Sequence, residues 1–233
     1  MTSRARERPG KIVFITGTDT GVGKTIFTGL LVRHLREHGV HALAMKPFCS
    51  GGRGDVKLLR AMQDAELAEH EINPFYFPKP VAPLVDARRS KHLISLAEVI
   101  HEIKTLATRC ECLLVEGSGG LMVPLGENYF VSDVIKRLNC EVIVIARNQL
   151  GTINHTLLTV NALKRFGVQN IAVALVGTSK KDASAEKNGA VLREFLGGIE
   201  VREVKFLGKN ANKIGVLKKS VKKMKKTLAG FCD

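Results

Sequence analysis

At 233 residues the chain is long enough to bury a core of its own, and no apolar run approaches the roughly 20 residues needed to cross a bilayer, which excludes a membrane-spanning class. The formal net charge is +14, and nine lysines against one acid between Lys205 and Asp233 place more than half of that excess near the end of the chain. Cys49, Cys110, Cys112, Cys140 and Cys232 form no C-x-x-C pair, which excludes the common zinc and redox spacings and points to reduced thiols in a cytoplasmic protein.

Residues 1–10, MTSRARERPG, are polar and basic and lack the apolar segment of a secretory signal; they read as a disordered lead-in to a single domain over 11–233. The first element is a buried strand, Ile12 to Ile15, which breaks into GTDTGVGKT, Gly17 to Thr25. Strand, glycine-bearing loop and helix in that order are the context of a phosphate-binding P-loop. Glycines let backbone N–H groups approach phosphate oxygens, and a helix N-terminus adds positive partial charge. Lys24 would reach the β- and γ-phosphates while Thr25 faces Mg²⁺. Five residues, Thr18 to Val22, separate Gly17 from Gly23, one more than the general motif carries.

A helix follows over Ile26 to His38, with Phe27, Leu30, Leu31 and Leu35 on one face and Gly39 as its stop. His34, His38 and His41 straddle that stop and are expected at the surface. A second strand, Ala42 to Met45, runs into Lys46-Pro47-Phe48-Cys49-Ser50-Gly51. Residues 55–71 read as one helix, and prolines at 74, 78, 80 and 83 as an irregular connection. Helix resumes over 96–108, and the strand Cys112 to Val115 ends in Glu116-Gly117-Ser118-Gly119-Gly120. Two further strands, Val142 to Ala146 and Ile171 to Val176, flank a helix over 154–165. The pattern predicts an α/β fold: a doubly wound, mainly parallel sheet with helices on both faces, of the P-loop NTPase type. Ligands in such sheets sit beyond the carboxyl ends of the strands, so the four strand-end loops are expected to converge on one crevice.

Mg²⁺·ATP in that crevice needs oxygen ligands, and Thr25, Asp55 and Glu116 are the candidates. Taken alone, an Asp at the place of Asp55 is more often a helix cap, and a lone lysine at that of Lys46 is usually solvated. Near the end of the chain, Ile214, Leu217, Val221, Met224 and Leu228 recur at steps of three and four, with lysines on the other face. That is an amphipathic helix over about 212–229. It either packs on the domain with its lysine face in water or makes nucleic-acid or lipid contact.

Together these motifs resemble the dethiobiotin synthetase family of biotin biosynthesis. Its P-loop is similar to GTDTGVGKT with the longer spacer, its second strand ends in K-P-x-x-[ST]-G (Lys46 to Gly51), and its third in V-E-G-x-G-G (Val115 to Gly120). A later G-x-I-N-H segment matches Gly151 to His155. The resemblance implies a ligase that forms C–N bonds. 7,8-Diaminopelargonate takes up CO₂ or bicarbonate as a carbamate, ATP as co-substrate phosphorylates it, and the second amine closes a ureido ring. It implies Lys24 and Lys46 as catalytic residues. It places the nucleotide on Gly21, Val22, Gly23, Lys24, Thr25, Ile26, Asp55, Glu116, Gly117, Ser118 and Gly119, with Mg²⁺ on Thr25, Asp55 and Glu116. Substrate falls to Thr20, Lys46, Ser50, Leu150, Gly151 and Asn154, the last three closing the site of the other subunit of a homodimer. At the adenine end this chain reads Leu175-Val176-Gly177-Thr178 where the family often has Asn, and Val204 to Gly208 replaces a Pro-containing loop. The expectation is weak discrimination among nucleoside triphosphates. The alternative is a partition or positioning ATPase of the same superfamily that binds DNA or membrane through the basic tail. It is disfavoured by Thr18, Asp19 and Thr20, where those proteins carry a second lysine.

Overall fold

The computed structural model describes residues 9–179 and 183–231; residues 1–8 of the expected 1–10 lead-in, and Cys232, lie outside the described residues. From the P-loop onward the chain runs β1 (Lys11–Gly17), α1 (Lys24–Glu37), β2 (Ala42–Met45), β3 (Phe48–Ser50), α2 (Gly54–Met62), α3 (Glu69–Ile72), β4 (Phe75–Phe77), α4 (Pro83–Ser90) and α5 (Leu96–Ala107). It continues through β5 (Cys112–Glu116), the hairpin β6 (Pro124–Gly126) and β7 (Tyr129–Phe130), α6 (Val131–Leu138), β8 (Glu141–Arg147), α7 (Thr152–Arg165) and β9 (Ile171–Val176). The last elements are α8 (Asn188–Leu196), β10 (Glu200–Val204), α9 (Ile214–Lys223) and α10 (Lys225–Ala229).

Six strands form one sheet in the order β2-β5-β1-β8-β9-β10, every pair parallel. Its central strands are near-continuous apolar runs because helices cover both faces and each side chain meets a core. The chain fills the β2 and β5 side first and then crosses to β8, β9 and β10, so winding reverses about β1. The carboxyl-end crevice at that reversal lies directly over the P-loop.

The expected helix over 55–71 is instead two. α2 stops at Met62, and Asp64 and Ala65 take left-handed φ values of 55° and 57°. The physical reason lies in Gln63, which is fully buried and bonds both the N–H and the C=O of Ala44 at 3.0 Å. Those groups face outward on edge strand β2, so the chain gives up helix to satisfy a sheet edge. The proline-rich connection also holds more structure than expected. β4 pairs in parallel with β3, and Pro83 occupies the first turn of α4, where its missing N–H costs nothing. Strand β10 escaped the sequence reading because only Val201 and Val204 of EVREV are buried, as befits an edge strand.

The amphipathic tail is two helices broken at Met224, and its apolar stripe packs on α1. Leu217, Val221, Met224 and Leu228 are buried, Phe231 meets Phe27 edge-on with centroids 5.1 Å apart, and only Ile214 of the stripe stays exposed. Gly29 permits the approach: a Cβ there would stand 2.9 Å from Leu58 Cδ2 and 3.3 Å from Leu217 Cδ2. The same packing corrects the expectation for His34, which is buried rather than exposed, its ring 4.2 Å from that of His38. Burial pushes the His34 pKa down, and the neighbouring His38 and Lys225 push the same way.

Candidate active site

The P-loop leaves β1 and reaches α1 through Gly21 and Gly23, whose φ values of 72° and 109° favour glycine. Gly23 is the N-cap of α1 without a side-chain cap, and the first turn of that helix carries no acid. Its N–H groups therefore keep their positive partial charge for an anion.

Lys24 is 6% exposed. Its ammonium donates to the carbonyls of Asp19 at 2.9 Å and Gly119 at 2.8 Å, tying the P-loop to the loop after β5. Burial pushes its pKa down to about 8, with Glu116 opposing and Lys46 reinforcing that shift.

Glu116, at the carboxyl end of β5, is 0% exposed. One oxygen, Oε1, accepts from the Thr25 hydroxyl at 2.7 Å and from the Lys46 ammonium at 2.8 Å, whereas Oε2 is buried with no hydrogen-bond partner among the described residues. Lys46 donates a second bond, 2.5 Å, to Asp55 Oδ2. Asp55 lies in the first turn of α2 but does not cap it, and Lys46 is buried, so the cap and solvated-lysine readings are both replaced by one ion-paired cluster. Burial alone would push the Lys46 pKa down; Glu116 and Asp55 overcome that and hold it raised. Asn73 fixes the backbone beneath, its amide donating to the carbonyls of Lys46 and Pro47 at 3.0 Å.

Two cavities meet at this cluster. One of about 550 Å³ is lined by Thr20, Lys24, Thr25, Lys46, Asp55, Glu116 and Asn212. The other, about 380 Å³, is lined by Thr20, Lys46, Cys49, Ser50, Asp55, Ser118 and the Pro80–Pro83 turn. Thr20, Lys46, Asp55 and Gly119 border both. A third cleft of about 760 Å³ continues from Gly21, Val22, Gly23 and Ile26 to Val176, Phe206 and Leu207, with Arg147 and Gln149 on its rim.

A family model described as an AAA domain matches residues 11–209. The ATP-dependent dethiobiotin synthetase BioD of Bacillus licheniformis is 40% identical over 190 residues, covering 79% of this chain and 81% of that protein. Its namesake in Bacillus subtilis strain 168 is 38% identical over 193 residues, 81% of this chain and 84% of the relative, and that of Endomicrobium trichonymphae 35% over 200 residues, 84% and 93%. The chain belongs to the dethiobiotin synthetase family. Among solved structures, a ParA family ATPase from Chlorobium tepidum matches with a TM-score of 0.59 at 14% identity, covering 95% of this chain and 98% of that one. MinD from Aquifex aeolicus matches with 0.57 at 12%, covering 95% and 98%. At such identities the likeness is one of fold, and it leaves the partition-ATPase alternative with fold alone.

Most residues that the dethiobiotin synthetase resemblance singled out come together here. Thr20, Lys24, Thr25, Lys46, Ser50, Asp55, Glu116, Ser118 and Gly119 surround the paired cavities, and Gly21, Val22, Gly23 and Ile26 continue into the third cleft. The Ser50 hydroxyl is buried without a partner, whereas that of Ser118 is spent on the carbonyl of Phe48 at 2.7 Å. The Gly117 N–H donates to the carbonyl of Ile15 at 2.9 Å and serves the end of the sheet. Of the fourth strand-end loop, Arg147 and Gln149 reach the third cleft beside the P-loop, whereas Leu150, Gly151 and Asn154 stand apart, exposed around the start of α7. Sequence reasoning missed Asn73, Asn212 and Gln149 as site neighbours. It also missed a role for Arg147, whose guanidinium donates to the carbonyl of Gly21. Only the position of Arg147 just past an apolar run could have flagged it.

Proposed function

We propose that this chain closes the ureido ring of dethiobiotin, using ATP to activate a carbamate of 7,8-diaminopelargonate. The observation that carries the reading is the Lys46 ammonium, held by Glu116 and Asp55 at the opening between a phosphate-type cavity and a second cavity bordered by Thr20 and Ser50. One amine of the substrate adds to CO₂ and loses a proton, leaving a carbamate whose oxygen is already anionic. That oxygen attacks the γ-phosphorus of ATP and ADP leaves. The second amine then attacks the carbonyl carbon of the carbamic–phosphoric anhydride, phosphate departs carrying the proton the amine gives up, and the ring closes. No protein base is needed for the phosphoryl step, so the chain contributes positioning and charge. The P-loop amides and Lys24 hold the phosphates, and Lys46 neutralises charge where carbamate and γ-phosphate meet.

Thr25, Asp55 and Glu116 are the residues that would hold Mg²⁺. The donor set fits: all three offer hard oxygens, and the buried Oε2 of Glu116 has a lone pair that no described residue uses. Held there, the ion would supply positive charge against the phosphates of the nucleotide. No group of three or more His, Cys, Asp or Glu residues suited to a metal occurs among the described residues.

The chain functions in this reading as a cytoplasmic homodimer, with Leu150, Gly151 and Asn154 of one copy closing the substrate cavity of the other. Leu150 and Leu158, 81% and 62% exposed on this segment, supply apolar surface for that contact. Sedimentation at the mass of a monomer would count against the dimer, and recovery of the protein outside the cytoplasmic fraction against its placement. The catalytic reading is tested by ADP release that depends on both diaminopelargonate and CO₂ and is lost in Lys46→Ala and Lys24→Ala. ADP release indifferent to diaminopelargonate would overturn it.

A further inference from the structure

Arg147 is a cation that the chemistry above does not use. It ends β8, opposite Val176 on β9 and two residues past Ile145, which pairs with Gly17 at the start of the P-loop. Its guanidinium reaches across the sheet end to the carbonyl of Gly21, and a Cβ built on Gly21 would lie 3.7 Å from Arg147 Nη2. The side chain is exposed and makes no ion pair with any described residue. An ordinary surface salt bridge therefore does not explain it. Of the five N–H donors on a guanidinium, the Gly21 carbonyl needs one.

The backbone that carries Arg147 is held in place. The N–H of Asn148 donates to the carbonyl of Val176 at 2.7 Å, and that of Gln149 to the carbonyl of Arg147 at 3.0 Å. The buried Asn148 side chain is clasped on its other side, donating to the carbonyl of Ala185 and accepting from Asn188, both at 2.9 Å. A rigid strand end thus presents a cation to the crest of a phosphate loop. The cleft beside it is lined by Arg147 and Lys205 as its charged residues and by no acid among the described residues.

We infer that Arg147 is a nucleotide-binding residue that bridges the Gly21 carbonyl and the polyphosphate of the bound nucleotide. This rests on the reading that the P-loop and the adjoining cleft take ATP. The planar fork gives Arg147 two tasks at once: it fixes the shape of the loop crest through Gly21 and adds charge-assisted hydrogen bonds to phosphate oxygens. A lysine at this position offers charge without the fork.

The test compares ATP, ADP and adenosine binding by calorimetry and by competition against a fluorescent ATP analogue, in the full chain and in Arg147→Ala and Arg147→Lys. Arg147→Ala is expected to weaken ATP and ADP roughly 10- to 100-fold, the worth of a lost charge-assisted bond. Adenosine binding stays unchanged, and Arg147→Lys falls between the two. Melting temperatures of the nucleotide-free variants separate lost binding from lost folding. Should Arg147→Ala melt early, the Arg147→Lys comparison of ATP with adenosine decides. Equal ATP binding by wild type and variants overturns the inference, as does an equal loss of ATP and adenosine, which would make the residue a shaper of the cleft alone. Failure of the unaltered chain to bind ATP at all would instead overturn the functional reading beneath it.

Discussion

Replacing Lys46 by Met should damage stability and catalysis by separable amounts. In the fold, Lys46 is the counter-ion of Glu116, a carboxylate with 0% exposure, and the Lys46 side chain itself is 10% exposed. Removing one partner of a buried pair costs roughly 3–5 kcal/mol, because the charge left behind has lost both water and its mate. Asp55 is left out of that figure: at 46% exposure, water already screens it. For a chain of this length each kcal/mol moves the melting temperature about 2–4 °C, so Lys46→Met should melt roughly 6–20 °C early. The double variant Lys46→Met, Glu116→Gln removes both charges while keeping an acceptor for Thr25, and should recover part of the loss, a coupling of about 1–3 kcal/mol. Activity should follow a different rule. Charge placed at a transferring phosphoryl group contributes about 10²–10³ in kcat, and the double variant should recover none of it. Thermal melts and steady-state ADP release read the two effects independently. A Lys46→Met melt within about 2 °C of wild type, or a double variant that loses the sum of the two single losses, would refute the claim that this lysine balances a buried carboxylate.

Three further outcomes are expected. Burial holds the nucleotide-free Lys24 pKa near 8, below the ordinary 10.5, so the folded state disfavours the charged form. That penalty is present below pH 8 and fades as pH rises toward 10.5. Bound phosphate favours the ammonium. ATP binding should therefore take up a proton above pH 8, its affinity falling up to about tenfold per pH unit, and Lys24→Met should abolish the slope; a flat profile in wild type sinks the idea. Leu217, wholly buried against α1, should cost about 2–5 kcal/mol as Leu217→Ala. The exposed pair Lys222→Ala, Lys223→Ala should stay within about 0.5 kcal/mol, and a chain lacking 217–233 that still folds and turns over would show the tail to be an appendage. Finally, the third cleft is lined by Val176, Gly177, Phe206 and Leu207, with Thr178, Ser179 and Gln149 as its uncharged hydrogen-bonding side chains and no Asn among the described residues. Comparable kcat/KM for ATP, GTP and CTP should follow, and strict dependence on ATP would count against it.

The P-loop, the apolar strands and the amphipathic tail were legible because each is written in neighbouring residues. An apolar run flanked by glycine, or a stripe at helical spacing, is a local pattern that burial then honours. Asp55, Lys46 and Glu116 were readable only as candidates. Whether Asp55 capped α2 or met Lys46 depended on where β2, β5 and α2 set their ends, and Glu116 lies 70 residues from Lys46. The helix over 55–71 misled for the same reason. Its local propensity is helical, and the competing demand comes from Ala44 on an unpaired edge, 19 residues before Gln63.

The sequence by itself therefore determined the class of fold, the family and the phosphate loop, since these rest on short motifs whose geometry each segment carries with it. Tertiary structure alone decided which charges neutralise one another. It buried His34 beneath the tail, left one oxygen of Glu116 without a partner, and brought Arg147 to the carbonyl of Gly21, 126 residues away in the chain. The physical reason is that desolvation and Coulomb energy depend on distance in space. That distance is set by how parallel strands order themselves in a sheet, and no local window of residues contains it.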